Sequence, residues 1–127
     1  MIAKAEYKPT KWDEKPYETI SSDAKLAKTS ATFAFTGQLE GNASVEYLMF
    51  YEKFDASAPH ASSATYVGLI RFDGRLDGKQ GSFVMEDNGS FKAGSAESTL
   101  KIIPNSGVGD LNPENAVEAD FSLEIVL

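Results

Sequence analysis

Apolar residues in this chain recur at every second position, and no stretch carries the three-and-four spacing of an amphipathic helix. From Ala31 the odd positions are Ala31, Phe33, Phe35, Gly37 and Leu39, separated by Thr32, Ala34, Thr36 and Gln38. Phe121, Leu123, Ile125 and Leu127 alternate with Ser122, Glu124 and Val126 in the same way. Successive side chains of a strand point to opposite faces, so a period of two describes strands with one buried face. The predicted class is all-β. Ile2–Lys8 and Lys11–Ile20 read as shorter extended segments, with Pro9 and Pro16 confining them to edges or strand starts.

The middle strands are apolar on both faces. Val45, Tyr47, Met49 and Tyr51 share one parity of the segment 45–54, whereas Leu48, Phe50 and Phe54 share the other with Glu46 and Glu52. In 64–76, Tyr66, Ile70 and Phe72 oppose Val67, Leu69 and Arg71. With no helix to cover a second face, such strands call for a barrel interior on one side and another strand or subunit on the other. The expectation is therefore a single antiparallel β-barrel domain over residues 1–127 that forms a homodimer or higher homo-oligomer.

Turn residues interrupt the apolar runs at Glu40-Gly41-Asn42, Asp73-Gly74, Asp77-Gly78 and Asn88-Gly89. Asn88-Gly89 is the sharpest of these and predicts a hairpin turn with both central residues at positive φ. The segment 55–63, containing Pro59 and His60, reads as a polar loop, and 105–110 as a second irregular stretch.

Composition removes most chemistries. A net charge of −7 repels nucleic acid and anionic bilayers. With no cysteine and one histidine, neither a thiolate nor a multi-histidine metal site is available, and no metal or cofactor is expected. The N-terminal residues carry charges from Lys4 onward without the apolar run of a secretory signal, so the cytoplasm is the expected location. Gly74-Arg-Leu-Asp-Gly78-Lys79-Gln80 lacks the spacing, the Ser or Thr and the following helix of a phosphate loop, and Gly107-Val-Gly109 lacks the third glycine of a dinucleotide site. His60 lies in a loop with no third group to orient it as a base, and Ser106 has no evident activator. Carboxylates remain. Glu46 shares the parity of Leu48 and Phe50 and is the weak candidate for an acid or base, with Arg71 able to pair with it or to orient a ligand. Trp12 with Asp13 and Glu14 reads as an aromatic plug beside a charged strand end.

The ordered set Trp12-Asp13-Glu14, Gly37-x-Leu39-x-Gly41, Glu46-Tyr-Leu-Met, Tyr66-Val-Gly68, Gly74-x-Leu76-x-Gly78-Lys-x-Gly81-Ser-Phe-Val84, Gly89-Ser-Phe91 and Pro104-x-Ser106-Gly-x-Gly109-x-Leu111 resembles the domain-of-unknown-function family 3224 across nearly the whole chain. That resemblance implies an eight-stranded antiparallel β-barrel of calycin type, similar to the allene oxide cyclases. The sequence departs from the family pattern at Ile70, Asp87 and Val108, where glutamate, histidine and threonine are common.

Three functions follow for such a barrel. The first is binding of a small apolar or amphipathic molecule in the lumen, lined by Glu46, Phe50, Tyr66, Arg71 and Phe72. The second is a cyclase or isomerase of polyene or epoxide substrates in the same lumen, with Glu46 as the acid or base. The third is a structural or interaction barrel with a filled interior, because eight strands leave room for little beyond side chains.

Overall fold

The computed structural model describes residues 5–54, 57, 62–92, 95–110 and 120–126, with the backbone alone for Ser95 and for 120–126. Among them there is no helix, hence none long and apolar enough to cross a membrane. The strands are β1 (Ala5–Thr19), β2 (Lys25–Gly37), β3 (Leu39–Lys53), β4 (Ser63–Leu76), β5 (Lys79–Lys92), β6 (Ser95–Ile102), β7 (Val108–Gly109) and β8 (Asp120–Val126). They form one antiparallel sheet in the order β1-β2-β3-β4-β5-β6-β8, and the two-residue β7 pairs with β5 beside β6. The outer strands β1 and β8 approach one another but share no paired register, so the sheet is open where an eight-stranded barrel would close.

Alternation is borne out in β2 to β6, whereas the side chains of 121–127, where it is also expected, lie outside the described residues. In β3 the odd residues Val45, Tyr47, Met49 and Tyr51 are buried, whereas Leu48 and Phe50 are exposed. In β4 the even residues Tyr66, Ile70 and Phe72 are buried. Every strand from β2 to β6 turns one parity inward, and the sheet curls so that these faces meet. Tyr7 on β1 packs on Phe33 and Phe35, with ring centroids 5.1 and 4.9 Å away. Its hydroxyl also comes within electrostatic reach of Asp87 on β5 and beside Ser98 on β6, across the interior.

The bends in β1 alter which side chains face inward. Between Pro9 and Lys11 the register slips by one residue, leaving Thr10 as the extra residue of a bulge. Its hydroxyl lies 2.6 Å from that of Thr32. Before the bulge the odd residue Tyr7 faces the interior; after it, the even residues Trp12 and Glu14 do. A one-residue slip exchanges the two faces of a strand, and here it turns a tryptophan and a carboxylate inward.

Most of the glycines read as turns lie within strands. Only Asp77-Gly78 turns the chain as expected, with φ of 51° and 84°. Gly41 is in β3, Gly74 in β4, and Asn88-Gly89 pairs with Val67 and Tyr66 on one side and with Thr99 and Ser98 on the other. The hairpin expected at Asn88-Gly89 is therefore corrected to mid-strand, and the β2–β3 turn is at Gly37-Gln38. These glycines make room for close neighbours, backbone at Gly41 and both backbone and a ring at Gly74. Gly41, Gly74, Gly81 and Gly109 stand opposite one another in a row across β3, β4, β5 and β7. Phe35 pairs with the first of them, and Phe72 lies over Gly74, its ring tip 2.8 Å from where a Cβ would stand. Phe35, Phe72 and Phe83 then pack in sequence at 5.6 and 5.1 Å between centroids. A ring laid over a glycine compensates for the missing side chain.

Candidate functional site: an aromatic cavity above a buried acid

Two parallel rows across the sheet build the site. In one, Tyr47, Gly68 and Asp87 are consecutive cross-strand neighbours on β3, β4 and β5. In the next, Tyr66, Gly89 and Ser98 occupy β4, β5 and β6. Each glycine lets the tyrosine of the preceding strand lie across it and reach the polar group of the following strand. A Cβ on Gly68 would overlap the Tyr47 ring, and one on Gly89 the Tyr66 hydroxyl. Tyr47 donates to Asp87 Oδ2 at 2.5 Å, and Tyr66 shares a hydrogen bond of 2.5 Å with Ser98 Oγ. The two rings meet edge to face, with centroids 5.2 Å apart.

Asp87 is fully buried. Removal from water pushes its carboxyl up to about 6, against the opposing effects of the Tyr47 and Ser98 hydroxyls. Burial also raises the Tyr47 phenol far above its ordinary value, a shift that the negative charge of Asp87 reinforces, and takes the Tyr66 phenol up to about 12. Asp87 Oδ1 and Tyr7 Oη have no hydrogen-bond partner among the described residues; Ser98 lies close enough to influence the ionisation of both, without hydrogen-bond geometry to either of these atoms. Buried polar atoms left without partners are uncommon in folded proteins, so this group holds polarity beyond what packing requires.

Above the tyrosines the inner face leaves a cavity of about 230 Å³, walled by Trp12, Phe33, Tyr47, Tyr51, Phe54 and Tyr66 among others. Glu14 is the charged residue of this wall, which also includes the polar Ser62. Tyr51 donates to Glu14 Oε1 at 2.7 Å, and the Thr29 hydroxyl is 3.3 Å from the same oxygen and 3.0 Å from Met49 Sδ. Burial, this hydrogen bond and the nearby carboxylate together raise the Tyr51 phenol. Lys25 completes the edge of the site, its Nζ 3.3 Å from the centroid of Phe54 and 5.1 Å from that of Tyr51.

The residues expected to line the interior divide. Tyr66 lines the cavity, and Phe72 is buried in the core between Phe35 and Phe83 rather than at the cavity wall. Glu46, Phe50 and Arg71 are on the outward parity and exposed, which corrects the expectation that they face the lumen. Glu46 accepts a hydrogen bond of 2.6 Å from Ser30 on that outer surface, where it has no access to an interior ligand. Ser106 is structural: it hydrogen-bonds the backbone of Val84, accepting from its N–H at 3.0 Å where the ladder passes from β6 to β7, and contacts the Ile103 carbonyl at 2.7 Å. His60 lies outside the described residues. Sequence reasoning missed Glu14 and Asp87 as interior groups. Asp87 carries a detectable signal, since Tyr66-x-Gly68 and Asp87-x-Gly89 repeat one two-residue offset on antiparallel neighbours and so align tyrosine with glycine and glycine with acid.

The profile of a family described as "protein of unknown function (DUF3224)" matches residues 3–113. A crystal structure of a protein of unknown function from that family, from Shewanella oneidensis MR-1, is 26% identical with a TM-score of 0.56, the match covering 86% of this chain and 81% of that one. Comparison with curated proteins gives no match.

Proposed function

The chain belongs to the DUF3224 family of proteins of unknown function, and we propose that it binds a small, largely apolar or amphipathic molecule inside its curled sheet. The observation that carries this reading is the cavity of about 230 Å³, walled by aromatic rings and bearing the carboxylate of Glu14. A concave apolar site with few polar groups is the usual form of a small-ligand pocket. An engineered apolar cavity of about 150 Å³ accepts benzene, so this one suits a substituted benzene or a compact terpenoid. On this reading the sheet is a calycin-like barrel whose seam stays open where β1 and β8 approach.

Trp12, the single tryptophan of the chain, lines the cavity and reports directly on its occupancy. Neutral aromatic and monoterpene alcohols are expected to shift Trp12 emission saturably and to raise the melting temperature, because a ligand bound only by the folded state stabilises it. Silence in both signals up to millimolar concentration overturns the proposal.

A second reading, acid–base catalysis of a cyclisation or isomerisation, is favoured by one observation: a buried carboxyl held near neutrality by burial lies against the phenol of a cavity-wall tyrosine. Asp87 and Tyr47 take the place that the sequence suggested for Glu46. Binding ranks first because Asp87 is sealed behind the Tyr47 ring and does not itself line the cavity.

We also propose self-association through the outer face of β3 and β4. Leu48 stands opposite Val67 there, with Phe50 and Leu69 flanking them, and all four are exposed. Such a patch on an otherwise charged surface favours a symmetric dimer. Light scattering is expected to give twice 13.7 kDa at micromolar concentration, and Leu48→Lys to return the monomer. A wild-type monomer sinks this proposal.

A further inference from the structure

Resting on the binding reading above, we propose that the cavity is selective for a hydrophobic organic cation, an aryl or alkyl ammonium, whose charge rests between Glu14 and the faces of the surrounding rings. Glu14 supplies the first argument. Its two hydroxyl contacts, from Tyr51 and Thr29, both reach Oε1 and both come from neutral groups. Among the described residues no cation lies within ion-pair distance of it, and Oε2 has no hydrogen-bond donor. The cavity therefore carries one carboxylate whose charge is not matched by a neighbour.

A neutral ligand filling the space strips water from that carboxylate without replacing it, which is costly for a charged group. An anionic ligand adds repulsion at close range. A cation replaces the lost water by direct attraction, stronger in a site bounded by rings than in bulk solvent.

The walls supply the second argument. Trp12, Tyr47 and Tyr51 line the same cavity as Glu14, and the faces of such rings carry the negative end of their quadrupole. Aromatic cages of this composition recognise quaternary ammonium groups. The molecule already shows the preference on its own rings: the Lys25 ammonium lies 3.3 Å from the centroid of Phe54 and 5.1 Å from that of Tyr51, two residues of the cavity wall. The charge of Lys25 is thereby turned toward ring faces, whereas that of Glu14 meets none of opposite sign. The overall charge of −7 further concentrates cations near the protein.

The test uses three probes of one shape: phenyltrimethylammonium, its neutral isostere tert-butylbenzene, and benzenesulfonate as the anion, each followed by Trp12 emission and melting temperature. Phenyltrimethylammonium is expected to bind about tenfold or more tightly than tert-butylbenzene, and benzenesulfonate most weakly. Glu14→Gln is expected to bring the cation and the neutral probe within about threefold of each other while tert-butylbenzene binding persists, which also shows that the variant folds. If tert-butylbenzene binds the wild type as tightly as the cation, selectivity for cations is overturned and the binding reading stands. Preference for benzenesulfonate overturns it in favour of Lys25 as the anchor. No response to any of the three overturns both. Should Glu14→Gln fail to fold, the order of the three probes on the wild-type protein still decides.

Discussion

Gly68→Ala is expected to destabilise the protein by about 4 kcal/mol, far more than a glycine-to-alanine change in an extended strand costs through conformational preference. The backbone at Gly68 is in the ordinary extended region, so the loss is steric. The added Cβ would stand 2.6 Å from the Glu46 carbonyl oxygen and inside the Tyr47 ring. Forcing an extra carbon into a packed interior costs about 1–3 kcal/mol. The backbone of β3 cannot retreat without breaking its ladder with β4, so the ring must move, and Asp87 then loses the one side chain that donates to it, at a further cost of about 1–3 kcal/mol. Gly78→Ala is the comparison. Gly78 is at φ 84° in the β4–β5 turn, and nothing lies within 4 Å of its missing Cβ. Only the strain of a left-handed residue remains there, about 1–2 kcal/mol. Urea denaturation of the two variants should separate them widely in midpoint. Equal losses would show that Tyr47 does not depend on the space above Gly68.

The same contrast explains what could be read from the sequence. Period-two alternation located the strands, because each buries one face: 31–35 and the inner parity of 45–51 follow it, and the break at Gly37 marks the turn into β3. Glycine misled because it serves two purposes that look alike in sequence. Next to Asp77 it permits the positive φ of a turn; within the strands it leaves room, at 89 for the tyrosine of the adjoining strand, at 74 for the ring of Phe72, and at 41 and 74 for closely approaching backbone. The parity of 45–54 was undecidable from hydrophobicity, since Leu48 and Phe50 are as apolar as Tyr47 and Met49. Partners on other strands decide it: the Tyr47 hydroxyl reaches Asp87 and that of Tyr51 reaches Glu14. Glu14 was illegible for a further reason, because the parity of β1 changes at the bulge around Thr10 and nothing in the spacing of residues 5–19 marks that slip. Asp87 was visible as a departure from a familiar pattern. Its burial depends on Gly68 and Gly89, whose role emerges only when three strands are set side by side.

Asp87→Asn is expected to stabilise the protein at pH 8 by roughly 3 kcal/mol and to leave stability unchanged below pH 4. Burial raises the Asp87 carboxyl from 3.8 to about 6 in the folded state. The folded protein thus holds this proton more firmly than the unfolded chain does. The associated stability is fully present below the unfolded value near 3.8 and is lost as pH rises through about 6. Asparagine is neutral throughout, so the penalty of a buried charge disappears while the shape is kept. Tyr47 can still donate to the amide oxygen. The groups facing Asp87 are Tyr47, Tyr66, Tyr7 and Ser98, and the burial that lifts the three phenols keeps them protonated across this range. All other titrating groups are common to both proteins, so the difference between the two curves of unfolding free energy against pH isolates Asp87. A difference that opens between pH 4 and 7 in favour of the variant fits a carboxylate retained at a cost to stability beside the cavity wall. A wild type more stable than the variant at pH 8 would mean that the ionised carboxylate has a favourable partner, and would overturn the account of Asp87 as a buried acid held near neutrality by desolvation.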